Sequence, residues 1–353
     1  MEIKNLKIVI VGAVFLAAVL LVAKVQYSSD REAVETASTA TDGGNAAQNK
    51  KQEESPVEIL AFGDLLLDRY IKLYIDRNTA DYPFENIKEI LPGNDIVLAN
   101  LEGSFTDFAP RPLDPNNTSF TFDPALAAML KRHHFNVLNL ANNHVQDFGR
   151  AGFEQSQSYL AENGIDYFGD YYNENPTLIK EVNGKKIAFV GYYSLADPAT
   201  EGTIEKIKQA RKNADYIIVY THWGAEYQNN FSKSQQEAGK KFIDAGADAV
   251  LGSHPHVIQP IEIYDNKPIF YSLGNFLFDQ IFSFEVRHGL GVKITLGKDK
   301  TEFELIPTEM KNFQLILPDD PTRTKILSTL SESSIADESV KAQIATGKFT
   351  LSR

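Results

Sequence analysis

From residue 57 onward, short apolar runs recur along the chain, and most end on polar or ionisable side chains. They are VEILAFGD (57–64), DIVLANLE (95–102), FNVLNLANNH (135–144), KIAFVGYY (186–193), DYIIVYTHW (215–223), DAVLGSH (248–254) and KPIFYSLGNF (267–276). Runs of this length without polar alternation predict strands covered on both faces. Helical stretches are predicted between them, over 124–133, 152–163, 204–213 and 233–245. Asp123 precedes the first as an N-cap, with Pro124 at the first helical position. Gly164 and Gly246 stand where helix C-caps favour glycine. Strand, helix and strand repeated in this way predict an α/β domain. Residues 257–307 look richer in adjacent strands, which predicts a mixed sheet or a two-sheet sandwich. After Pro318 the chain turns more polar, and a short helical tail is expected over 318–353.

The N-terminus has a different pattern. LKIVIVGAVFLAAVLLVAKV (6–25) is apolar except for Lys7 and Lys24. At about 1.5 Å per residue, twenty residues just cross a hydrocarbon core of about 30 Å. Lys4 and Lys7 precede or open it, which predicts a cytoplasmic N-terminus and a domain on the extracytoplasmic side of the cell membrane. An uncleaved single-pass anchor over 1–27 is favoured over a cleaved signal, because no small-x-small site follows Leu21. Residues 28–55 are small, polar and charged, so they predict a flexible linker. The folded domain is expected over 56–317.

Composition narrows the chemistry. A net charge of −12 argues against nucleic acid as a partner. The chain has no cysteine, which removes disulfides, thiolate metal sites and cysteine nucleophiles. What remains is a set of oxygen and nitrogen donors at the ends of the predicted strands: Asp64, Glu102, Asn142, Asn143, His144, His222, His254 and His256. In open α/β sheets, ligands bind at that edge. The donor set suits one or two divalent ions such as Mn, Fe or Zn. His254 and His256 flank Pro255, and on an extended segment their side chains point the same way. A two-metal hydrolase needs a bridging carboxylate, for which Glu102 and Asp64 both qualify. His144 beside Asn143 offers a proton donor. His133, His134 and His288 read as surface or structural.

The ordered motifs GDLLLDR, NLEGSF, ANNHVQDFG, THWGAEY, GSHPHVIQPIE and YSLGNFLFD resemble those of the CapA/PgsA family of poly-γ-glutamate capsule synthesis. The resemblance spans about residues 57–310. That family is similar in turn to calcineurin-like metallophosphoesterases, so the resemblance implies a sheet sandwich flanked by helices. It implies metal ligation by Asp64, Glu102, Asn143, His222, His254 and His256, with Glu102 at the bridging position and His144 as the acid. Metallophosphoesterases carry a histidine two residues after the first aspartate. Here that residue is Leu66, so one metal position lacks a ligand. Within the same motifs lie Gln259 and three residues with assignable roles. Arg69 is a candidate catalytic anion clamp, and Glu226 and Asn275 are candidates for orienting His222.

Two functions follow. One is a metal-dependent hydrolase acting on a phosphoester or an anionic polymer. The alternative is a non-catalytic polymer-binding scaffold that serves membrane-bound poly-γ-glutamate synthase subunits.

Overall fold

Val57–Leu65 (β1) is apolar over nearly its whole length because each of its faces meets a different core. Leu60 and Phe62 enter one cluster, while Ile59 and Ala61 enter another. This period of two is the pleat of a strand. The structure is a computed structural model describing residues 55–353, apart from 109–110, 113, 115, 172–176 and 196–197. The stretch expected to span a membrane, and all of the expected linker but its last residue, lie outside the described residues. No helix among the described residues is long and apolar enough to cross a membrane.

In chain order the further strands are β2 (Ile96–Leu101), β3 (Ser104–Phe105), β4 (Thr121–Phe122), β5 (Val137–Asn139), β6 (Asp166–Phe168), β7 (Thr177–Val182), β8 (Lys185–Tyr193) and β9 (Tyr216–His222). They continue with β10 (Ala249–Ser253), β11 (Ile261–Tyr264), β12 (Lys267–Phe270), β13 (Asn275–Leu277), β14 (His288–Leu296), β15 (Lys300–Lys311), β16 (Gln314–Ile316) and β17 (Lys348–Ser352). The helices are α1 (Arg69–Arg77), α2 (Ala125–Arg132), α3 (Gly149–Glu162), α4 (Glu201–Arg211), α5 (Lys233–Asp244), α6 (Phe284–Arg287), α7 (Asp320–Ser333) and α8 (Glu338–Thr346). The four helices expected between strands are α2 to α5. Gly164 and Gly246 close α3 and α5 at φ +64° and +116°.

Nine strands form a mixed sheet with the path β16-β15-β14-β1-β2-β5-β6, to which β13 adds beside β1 and β17 beside β15. Six more form a second sheet in the order β11-β12-β10-β9-β8-β7. The sheets stack face to face. Ile59, Ala61, Ile96 and Leu98 of the first share a core with Phe189, Ile218, Tyr220 and Leu251 of the second. The outer face of the first sheet packs Leu60, Phe62 and Val97 against Ile71, Met129, Leu130 and Phe153 of the helices. The outer face of the second packs Val190, Ile217 and Val219 against Ile207 and Phe242. The fold is therefore a mixed α/β sandwich with helices on both outer faces.

Two local expectations are corrected. The run 267–276 is two strands rather than one: β12 closes the second sheet and β13 joins the first, so the chain crosses between sheets at Tyr271–Gly274. The crossing demands glycine, because a Cβ on Gly63 would lie 1.9 Å from the Gly274 carbonyl oxygen. The residues after Pro318 include more than helix. Strand β17 pairs antiparallel with β15.

Candidate metal centre

Strand register assembles the site. In the first sheet Asn139, Asn100, Asp64 and Asn275 are aligned neighbours across β5, β2, β1 and β13. In the second, Tyr193, His222 and Ser253 are aligned across β8, β9 and β10. The two rows meet at one end of the sandwich. The Asn100 amide links them, donating to Asp64 Oδ1 at 2.8 Å and lying 3.2 Å from His222 Nδ1. Ser253 Oγ lies 3.1 Å from the same nitrogen. His222 Nε2 lies 2.7 Å from Asn143 Oδ1.

The His-Pro-His segment departs from the expected extended form. Ser253 ends β10, and His254 and His256 follow with φ of +94° and +59°. Left-handed backbone at non-glycine residues costs about 1–3 kcal/mol and clusters at functional sites. Asp64 holds the turn by accepting the His254 backbone N–H at 3.1 Å. His256 Nδ1 lies 3.4 Å from Asp64 Oδ2 and 2.9 Å from Asn275 Oδ1. Asn275 thus orients His256 rather than His222. His144 is braced by Asp147, 2.8 Å from its Nδ1, and by the Phe120 ring, and its Nε2 lies 3.7 Å from Glu102 Oε1.

The charges follow from this packing. Burial pushes the Asp64 carboxyl up. The hydrogen bond and charge of His256, with His222 and the Asn100 amide, outweigh it and hold the group well below the usual range. Burial and the Asp64 charge push Glu102 well above its ordinary value, against the pull of His256. Burial lowers His222 far below its ordinary value, and His254 adds to this. Burial also lowers His254, with His256 contributing. For His256, burial works downward, but Glu102 and Asp64 lift it to about 9. Of the two carboxyls, Asp64 is the one whose charge the surroundings favour, because donors surround it while Glu102 Oε2 has none.

This donor set fits a hard divalent cation. Glu102 Oε2 and His254 Nδ1 are buried side-chain atoms with no hydrogen-bond partner. Such atoms cost about 1–3 kcal/mol each when unsatisfied. Ligand atoms of Asp64, Glu102 and His222 lie within 4.8 Å of one another, and so do those of Glu226, His254 and His256. Glu226, expected behind His222, therefore stands with the other two histidines. Arg69 lies beside the site with its charge already engaged. It is paired to Asp279, and its guanidinium sits 4.9 and 5.4 Å from the Phe120 and Phe278 rings, which lie against His144 and His256. Gln259 is buried and donates to the carbonyls of Gln228 and Asn230. His133 pairs with Asp81, and His288 Nδ1 donates to the Phe284 carbonyl.

Sequence reasoning passed over Asn100, Asp147, Ser253 and Asp279. Asn100 was findable, since it sits on β2 two residues before Glu102, which directly follows that strand. Asp147 is three residues after His144. Asp279 carried no local signal, because its partner is 210 positions away.

Buried carboxylates, imidazoles and amides at the common edge of two stacked sheets define an α/β sandwich protein with a candidate cation centre. The chain belongs to the bacterial capsule synthesis protein PGA_cap family, whose model matches residues 58–280. It is 33% identical over 269 residues to the PGA biosynthesis protein CapA of Bacillus subtilis (strain 168), a match covering 70% of each chain. It is 32% identical over 254 residues to the capsule biosynthesis protein CapA of Bacillus anthracis, covering 65% of this chain and 62% of that one. A probable polyglutamine synthesis accessory protein of Mycobacterium tuberculosis is 29% identical over 221 residues, covering 52% of this chain and 56% of its own.

Proposed function

We propose that the chain is a divalent-cation-dependent hydrolase of the metallophosphoesterase type, acting on an anionic substrate during poly-γ-glutamate synthesis or export. The carrying observation is the buried group of Asp64, Glu102 and His222, with ligand atoms within 4.8 Å of one another. The process rests on the family and on the names of the two Bacillus relatives.

In this reading Asp64, Glu102, Asn143, His222, His254 and His256 hold one or two ions of Mn, Fe or Zn. A cation there supplies Lewis-acid activation. The chain's own residues do the rest. Asp64 anchors the His254 turn through its backbone N–H. Asp147 fixes the His144 ring, leaving Nε2 directed to the site to protonate a leaving group. Arg69 and the Phe120 and Phe278 rings form a rim suited to an anion with an aliphatic body. The apolar segment 6–25 anchors the domain on the extracytoplasmic side, near synthase subunits in the membrane, and nucleic acid is no partner.

The test is metal analysis of the full-length chain against a His254→Ala/His256→Ala variant, followed by turnover of p-nitrophenyl phosphate and of poly-γ-glutamate. Metal in the wild type alone, with turnover abolished by Asp64→Asn, supports the hydrolase. Equal and near-zero metal in both sinks the centre.

One observation favours the scaffold reading. Leu66 is fully buried in the first core cluster and offers no ligand. Polymer binding that survives metal removal, without turnover, selects that alternative.

A further inference from the structure

The donors at the sheet edge divide into two groups rather than one. The first is buried throughout and comes from β1, β2 and β9. The second is Glu226, His254 and His256, in which the histidines are buried and the glutamate is exposed. We infer that Glu226 is a direct ligand of a second divalent cation, held together with His254 and His256. This rests on the metal-centre reading above and extends it to a residue that neither the sequence pattern nor the family resemblance assigned as a ligand.

The placement of Glu226 is built into the backbone. Trp223 N–H donates to the Ser253 carbonyl at 3.2 Å, and Tyr227 N–H donates to the Pro255 carbonyl at 2.8 Å. These bonds pin both ends of the short loop 224–226 along the His-Pro-His turn, so the glutamate side chain between them faces the two imidazoles. The loop adopts left-handed backbone at Gly224, φ +87°, and at Tyr227, φ +61°. Gly224 also has to stay bare, since a Cβ there would lie 2.7 Å from the Gln235 side chain. Tyr227 is held from outside as well, its hydroxyl accepting from Gln280 Nε2 at 2.9 Å. A surface glutamate with no task needs none of this restraint.

A second observation is independent of the glutamate. His254 is only 6% exposed, and its Nδ1 has no hydrogen-bond partner. Its neighbour His222, with its ring centroid 4.6 Å away, belongs to the first group. His254 is therefore a buried imidazole with a nitrogen that no protein group occupies, as a ligand position requires. His256 faces both groups, with Nε2 3.8 Å from Glu102 Oε1. Leu66 cannot substitute, because its backbone N–H is tied to the Leu277 carbonyl at 2.7 Å and its side chain is sealed in the core. One carboxylate and two imidazoles make an N/O donor set of the kind that suits a divalent transition metal.

The test uses the full-length chain, stripped of metal and titrated with Mn²⁺ by calorimetry and electron paramagnetic resonance. The wild type is expected to take two ions that give a spin-coupled signal. Glu226→Gln is expected to keep one ion in the first group and to lose the coupling. Its second binding event is expected to weaken by more than about 100-fold, at least the loss that follows removal of a residue supporting a ligand. Glu226→Asp is expected to restore part of it. Because Glu226 is exposed, these variants should fold, and circular dichroism checks that they do. Two ions bound to Glu226→Gln with affinity within about threefold of wild type overturn the inference and leave the first group standing. A wild type that binds one ion overturns it in the same way. A wild type that binds none overturns the metal centre as well.

Discussion

Replacing Glu102 by Gln separates the cation's contribution from the fold's own. The Glu102 side chain is 1% exposed and Oε2 has no partner, while Oε1 is 3.7 and 3.8 Å from His144 Nε2 and His256 Nε2. Burial and the Asp64 charge raise its pKa well above the usual carboxyl value, so the cation-free protein keeps this carboxyl protonated to higher pH than a free one. Gln has the same shape and is also neutral. The cation-free variant should therefore match the wild type to within about 1 kcal/mol. The loaded proteins should differ. A ligand at 100 times its Kd stabilises by about 2.7 kcal/mol, which is about 5 °C in Tm for a domain of this size. Gln lacks the charge that holds the ion, so most of that shift should vanish. The sign with pH also follows. A folded-state pKa above the unfolded value of about 4.3 means the folded state keeps its proton longer, so metal-free wild type loses stability as pH rises between the two. The variant lacks this slope and should gain on the wild type in that window. Thermal melts of both proteins with and without Mn²⁺, from pH 4 to 8, read each part. A metal-free variant destabilised by more than about 3 kcal/mol, or one with the wild-type Mn²⁺ shift, refutes the assignment.

Other outcomes are expected on the same grounds. Cation affinity should rise with pH up to about 9, where His256 gives up its proton, and calorimetry in buffers of different ionisation heat should show proton release on binding. No release would show that His256 carries no proton to give up or is not a ligand. Asp279→Asn should lower stability by about 3 kcal/mol, seen as a lower urea midpoint at constant m, because it strands Arg69 with a mostly buried charge. A neutral result would show that Arg69 swings to solvent. Gly63→Ala should cost about 3 kcal/mol or prevent folding, since its Cβ meets the Gly274 carbonyl at 1.9 Å. A soluble variant with wild-type Tm would deny the close crossing.

Much of the site was legible because buried strands announce themselves as apolar runs, and their last residues stand out by contrast. Asp64, Glu102, Asn143, His144, His222, His254 and His256 all come from such ends, and all reach one locus. Less legible was anything set by the pairing of one sheet with the other. No periodicity says that β12 and β13 belong to different sheets, because both are short and apolar. The left-handed turn at His254 and His256 depends on Asp64, 190 positions away. Glu226 looked like support for His222 on spacing alone. The backbone bonds from Trp223 and Tyr227 to the turn carry it to different histidines.

The division of donors between sheets has a thermodynamic consequence. Asp64 and Glu102 lie at the end of the first sheet, while His222 ends β9 in the second and His254 and His256 leave that sheet from β10. Neither sheet alone can assemble the group of Asp64, Glu102 and His222. The core between the sheets, with Ile59, Leu98, Ile218 and Leu251, sets their separation, and the Asn100 amide fixes the lateral register by touching Asp64 and His222 at once. Ion binding at that first group is thus linked to the sheet-on-sheet interface. A cavity opened in that interface, such as Leu251→Ala, should weaken binding only if the sheets shift. Its expected cost of about 2–5 kcal/mol should otherwise appear in stability alone. If Mn²⁺ affinity falls in that variant while Asn100→Asp leaves it intact, the core rather than the amide sets the register. The reverse result assigns that role to Asn100.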